Sequence, residues 1–235
     1  MELFSVCSAS RSERLAFDRC AGVALAILLV AVQLAFGGSV SGTISAQGGI
    51  RSDGPKNDLD VVVMLDRIGG APPPPANAKA KASMDQRGLV FLPHVLAVQK
   101  GSTVTFLNND NDQHNVYFLN ETDGKTLDIG TYGPGVSVNH RFDQAGSVIV
   151  LCKLHLEMAA YVVVTESPWF AAARLDSSGK GSYSIANVPA GKYQLRVWHK
   201  KLKPTGGVVE IEVPQSGTIE TSIALARSTR SNKKK

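Results

Sequence analysis

Residues 147–165 read Ser-Val-Ile-Val-Leu-Cys-Lys-Leu-His-Leu-Glu-Met-Ala-Ala-Tyr-Val-Val-Val-Thr. Two β-branched runs, 147–152 and 160–166, flank a short loop, Cys152-Lys153-Leu154-His155-Leu156-Glu157-Met158. Runs of this length and composition predict neighbouring strands. The loop therefore joins two strands and carries three soft or borderline donors: a thiol, an imidazole and a thioether. The chain around it repeats the strand pattern. Residues 39–46, 59–66, 89–91, 95–98, 103–108, 114–118 and 136–142 precede the loop, and 182–188, 193–199, 208–213 and 218–225 follow it. Many short strands separated by turns, with no strong helical period after residue 37, predict an all-β fold of sandwich or Greek-key type. Residues 130–135 are expected to form a Gly/Pro-rich loop.

The donor set has a chemistry. A thiolate and imidazoles in a trigonal plane, with a weak thioether on the axis, suit a blue-copper site. The loop lacks one imidazole, and His114, after the polar turn Asn108–Gln113, is a candidate for it. Other chemistries lack their residues. A dinuclear copper centre needs a second loop cysteine, a multicopper oxidase needs paired His-x-His motifs, and structural zinc prefers several Cys or His. A Cys-His nucleophile needs an orienting partner and an oxyanion donor set. A copper store would be rich in Met or His. Glu157 is set aside because carboxylates suit harder ions. His94 is expected to be structural, His140 to be exposed beside Arg141, and His199 to belong to another part of the fold. Trp169 and Trp198 are expected to pack rather than relay electrons.

These residues resemble the cupredoxins, the plastocyanin- and amicyanin-like blue-copper proteins. The resemblance is carried by Phe91-x-Pro93, Gly101-x-x-Val104-x-Phe106-x-Asn108, His114-Asn115-Val116, Phe142-x-x-x-Gly146 and the C-x-x-H-x-x-M loop, whose short spacing is closer to amicyanin. It implies a Greek-key cupredoxin sandwich over 83–166 and one type 1 copper ion. His114, Cys152 and His155 would be the equatorial ligands and Met158 the axial one. Asn115 would hydrogen-bond so as to tie the His114 strand to the Cys152 loop. Gln113 and Leu154 stand where proline is common in the family, which bears on loop rigidity and redox potential rather than on ligand identity.

A second resemblance covers the flanks. The stretch 176–199, DSSGKGSYSIANVPAGKYQLRVWH, is similar to the transthyretin-like, carboxypeptidase-regulatory type of sandwich, and Gly42–Ser45 and Val61–Leu65 match its first strands. It implies that 38–68 and 168–226 form one discontinuous small β-sandwich. The cupredoxin part would then be inserted into it, with 69–82 as a Pro/Ala linker. The plainer arrangement, two sequential sandwiches, would leave residues 38–68 as a lone hairpin, which is marginal in water. The whole arrangement resembles bacterial proteins of the plastocyanin-like or methylamine-utilisation type.

The chain has 235 residues, 43% hydrophobic and 19% charged, which excludes disorder throughout. Its net charge of +5 equals the contribution of Arg227, Arg230, Lys233, Lys234 and Lys235 in the basic tail 227–235. The body is neutral, so a nucleic-acid groove is not expected. Arg11, Arg14 and Arg19 precede an uncharged run at 21–36, shorter than the ~20 residues of an ordinary membrane span. Residues 1–37 therefore read as a secretory signal, and the protein as periplasmic or otherwise exported. Membrane contact would come only through an uncleaved signal or the tail. Of the three cysteines only Cys152 follows the apolar run, so the exported part has no internal disulfide. The expected function is a one-electron carrier cycling Cu(II)/Cu(I), with a redox protein such as a cytochrome as partner, and not an enzyme. The alternative is an extracellular adhesion or carbohydrate-binding module with a structural or absent metal.

Overall fold

The structure, a computed structural model, describes residues 37–47, 59–77 and 80–227. The signal expected at 1–37, apart from Gly37, and the tail from 228 lie outside the described residues. Among those residues no helix is long and apolar enough to cross a membrane. The strands in chain order are β1 (Gly38–Ala46) and β2 (Asp60–Arg67), then β3 (Ala82–Gln86), β4 (Phe91–Leu92), β5 (Val95–Gln99), β6 (Ser102–Asn108), β7 (His114–Asn120), β8 (Thr126–Tyr132), β9 (Ser137–Phe142), β10 (Gly146–Leu151) and β11 (Ala159–Thr165). The last block holds β12 (Phe170–Arg174), β13 (Lys180–Val188), β14 (Gly191–His199), β15 (Leu202–Pro204), β16 (Val209–Val213) and β17 (Thr218–Arg227).

They form four sheets. Two come from the middle of the chain, in the orders β5-β11-β10-β7-β8 and β4-β3-β6-β9. The other two mix the ends of the chain, in the orders β13-β1-β17-β15 and β12-β2-β14-β16. β1 lies between β13 and β17, antiparallel to the first and parallel to the second, so the first strand completes a sheet made otherwise from the last 50-odd residues. One apolar core fills the space between the two middle sheets, including Met84, Phe91, Phe106, Phe118, Val150 and Val162. A second, with Val40, Ile44, Leu65, Tyr183, Tyr193 and Leu225, fills the space between the two flanking sheets.

A third cluster explains the most apolar strands. In β2, Val61, Val63 and Leu65 face the flanking core while Val62 and Met64 face the other way. In β11, Ala160, Val162 and Val164 face the middle core while Tyr161 and Val163 face outward. The two outward faces join in one cluster that also includes Val95 of β5. Side chains alternate across a strand, so a strand covered on both faces has no polar phase. That is why 61–65 and 160–164 read as unbroken apolar runs. Each buried side chain in this seam contributes roughly 1.5–3 kcal/mol, and Tyr161 and Trp198 add an aromatic contact at 5.1 Å.

Several expectations need correction. Leu89 and Val90, read as strand, are exposed in a bend, and only Phe91–Leu92 pair. Gly88 and Leu89 take φ of 62° and 59°, which no strand tolerates, and the Leu89 amide is held by Asp110 Oδ2 at 2.9 Å. The loop at 130–135 is shorter than expected because β8 continues to Tyr132. Gly130, at φ 110°, allows the ladder to shift register opposite Val116 and Tyr117. His140 is half-buried rather than exposed, 4.8 Å from the rings of both Phe118 and Phe142, and that burial lowers its pKa. β3, β8, β12 and β15 have no counterpart in the sequence reading.

Candidate metal centre

The Cys152 loop is short because its ends are bonded to each other. Cys152 N–H donates to Met158 O at 3.3 Å, and Met158 N–H donates to His155 O at 3.0 Å. These bonds hold the turn without the proline that Leu154 replaces. The register of β10 against both β7 and β11 then sets the loop at the end of β7 where His114 begins.

Three of the expected residues converge. His114 Nδ1 lies 3.1 Å from His155 Nδ1, and Cys152 Sγ lies 4.0 Å from His114 Nδ1 and 3.7 Å from His155 Nδ1. His114 and Cys152 are buried, while His155 keeps an edge at the surface. Bonds of about 2.0 Å to nitrogen and 2.3 Å to sulfur, the lengths of zinc sites, would separate donors in a trigonal plane by roughly 3.5 Å and 3.7 Å. The observed triangle is close to this, so the three donors fit one small ion with soft preference. Met158, 1% exposed, closes the loop through its main-chain bonds and belongs to the middle core. Glu157 is exposed and outside the cluster.

The surroundings of His114 fix its ring. Its Nε2 lies 3.1 Å from Asp110 Oδ2. A carboxylate there accepts the Nε2 proton and leaves the Nδ1 lone pair facing Cys152 and His155. Asp110 is held below its usual pKa, first by the Leu89 N–H, with the Asn111 N–H and His114 acting in the same direction. Behind His114 the donors are paired, while Gln86 Oε1 and Asn115 Oδ1 are buried without a partner. Asn108 Nδ2 donates to Asp112 O and Tyr132 O, and Gln86 Nε2 donates to the Tyr132 hydroxyl at 2.8 Å. Burial pushes the Tyr132 phenol up to about 12.

Asn115 departs from expectation in detail. Its main-chain N–H points at Cys152 Sγ, 3.4 Å away. Its side chain turns to β8 instead, donating to Asp128 Oδ1 at 2.8 Å and Gly130 O at 3.1 Å. Asp128 and Asp110 were not foreseen. Asp110 lies in the polar turn that precedes His114, where a carboxylate four residues ahead of a histidine was a usable signal. Asp128 had none, since its approach depends on the shifted β7–β8 register.

A family model described as "Copper binding proteins, plastocyanin/azurin family" matches residues 78–165. Plastocyanin from Scenedesmus fuscus is 32% identical over 82 residues, covering 32% of this chain and 84% of that protein. The chain belongs to this family. Among solved structures it is similar to a purple cupredoxin from Nitrosopumilus maritimus, at 22% identity over 36% of this chain and 99% of that one, with a TM-score of 0.33. It is also similar to an amicyanin variant in its reduced Cu(I) form, at 26% identity over 38% of this chain and 86% of that one, with a TM-score of 0.35. In this cupredoxin the family's metal, one copper ion, suits the donors His114, Cys152 and His155.

Proposed function

We propose that this cupredoxin is an exported one-electron carrier, and that His114, Cys152 and His155 are equatorial ligands with Met158 axial. The supporting observation is the triangle of two Nδ1 atoms and one Sγ, set where one imidazole edge reaches solvent. Copper, when bound, supplies a couple between Cu(II) and Cu(I). The chain's own residues do the rest. The Asn115 N–H supports negative charge on the Cys152 sulfur, and Asp110 holds the His114 ring in one orientation. A scaffold of strands and a bonded loop keeps the donors in place through a change of charge, so little rearrangement accompanies transfer. Around His155, Leu154 is 52% and Leu156 85% exposed. An apolar rim suits brief docking of a redox protein such as a cytochrome, in an interface below about 1,200 Å².

In this reading the chain acts as a carrier rather than an enzyme. The flanking sheets, built from 38–68 and 168–226 around one core, are read as a transthyretin-like sandwich interrupted by the cupredoxin, with 69–82 as the connector. The adhesion or carbohydrate-binding reading looked for exposed aromatic rings on a sheet. Among the described residues the exposed large apolar side chains are aliphatic, which favours the carrier.

The test is direct. One equivalent of Cu(II) added to the purified protein gives an intense visible thiolate-to-copper band, lost with ascorbate and regained with ferricyanide. A colourless protein would end the reading. For export, N-terminal sequencing of the periplasmic form begins close to Gly38.

A further inference from the structure

The residue after His114 is Asn115, and the residue after Cys152 is Lys153. Both reach one carboxylate. Asn115 Nδ2 donates to Asp128 Oδ1 at 2.8 Å, and Lys153 Nζ donates to Asp128 Oδ2 at 2.7 Å. The Gly130 N–H also donates to Asp128 Oδ1, at 2.9 Å, so the carboxylate is held from its own strand as well.

The path of Lys153 is unusual. In this sheet β7 lies between β10 and β8. Lys153 leaves the end of β10, passes over the Tyr117 ring on β7 with its Nζ 4.7 Å from the centroid, and lands on β8. Neighbouring strands are about 4.8 Å apart, so the crossing spans roughly 10 Å, a reach that needs a long side chain. The result is a strap across three strands whose two ends are chain neighbours of the two buried donors, His114 and Cys152. An isolated surface ion pair contributes about 0–1 kcal/mol to stability. This one has a different use, because a carboxylate with three donors in place is a rigid anchor for the loop.

We propose that Asp128 is a positioning residue of the metal centre: through Asn115 and Lys153 it ties the Cys152 loop to the β7–β8 ladder and holds Cys152 Sγ at its separation from the His114 ring. The proposal rests on His114 and Cys152 being copper ligands. The low pKa of Asp128, about 2, caused first by Lys153 and then by Asn115 and the Gly130 N–H, keeps the anchor charged.

The experiment compares wild type, Asp128→Asn, Lys153→Met and the double variant, each as the whole purified protein. In Asp128→Asn, copper affinity measured by chelator competition falls roughly tenfold, the range for residues that orient ligands. The thiolate-to-copper band and the EPR hyperfine splitting shift with it, while the melting temperature of the metal-free protein barely changes. Lys153→Met moves the same signals less, and the double variant is no worse than Asp128→Asn. Wild-type affinity and spectra in both single variants would overturn the proposal, as would effects that simply add in the double variant. A wild type without the band would strike the ligand assignment instead, so the two failures are separable.

Discussion

The middle and flanking sheets bury their residues differently. The flanking core is made of Val, Ile, Leu, Tyr and Trp, and His199, buried on the same strand as Tyr193 and Leu195, accepts from the Lys201 and Leu202 amides. The middle sheets bury Gln86, Asn108, His114 and Asn115 together at one end. Burying a polar group costs free energy unless it is bonded, and a sandwich of this size does not need such groups to fold, as the flanking one shows. A concentration of buried polar groups at one end, two of which leave an oxygen unpaired (Gln86 Oε1 and Asn115 Oδ1), therefore marks where the fold serves something other than its own stability. The same logic separates the turns. Both the Cys152 loop and the Asp176–Lys180 turn of the flanking part are bonded end to end, but the first has two carboxylates about it, Asp110 on His114 and Asp128 on Lys153, whereas the second has one, Asp176.

The comparison can be broken most severely at Cys152. Cys152→Ser abolishes the visible band of the copper-loaded protein, while its fold, read by far-ultraviolet circular dichroism, stays that of the parent. Next come the cores. Phe106→Ala in the middle core lowers stability by about 3–5 kcal/mol and Leu65→Ala in the flanking core by about 2–5 kcal/mol, measured by denaturant unfolding. Only the first also accelerates copper loss, since Phe106 supports the sheet that carries the site; equal loss from both would show the two halves to be one cooperative unit.

Smaller effects sharpen the picture. Met158→Leu keeps the volume and the band but raises the reduction potential, because removing a weak axial donor penalises Cu(II) more than Cu(I); voltammetry reads the shift. Acid titration gives the smallest effect. Asp128 has a folded pKa of about 2, below its ordinary 3.8. Its stabilisation is present above about pH 4 and is lost as pH falls through about 2. Asp128→Asn removes that portion of the acid limb, measured as melting temperature against pH. Asp128 is partly exposed and solvent screens its pair with Lys153, so the change is small.

Much of the fold was legible because alternation and apolar runs are local. The runs at 61–65 and 160–164 announced strands, and the structure added that both their faces are covered. The loop chemistry was legible for the same reason: Cys152, His155 and Met158 lie within one turn of chain, and their spacing needs no long-range information. Leu89 and Val90 misled because an apolar pair looks like strand until backbone geometry is known. His140 misled because a neighbour in sequence, Arg141, says nothing about Phe118 and Phe142 across the sheets.

By itself, then, the order of residues determined the all-β class, the membership of most strands and the soft donors of one loop, since each depends on residues within a few positions of one another. Tertiary structure alone decided that His114 meets Cys152 and His155, that β1 lies between β13 and β17, and that Asp128 receives both Asn115 and Lys153. Those outcomes depend on strand register. A one-residue slip turns every side chain of a strand to the opposite face, and what holds the register here is the packing of whole sheets, which no short stretch of sequence contains.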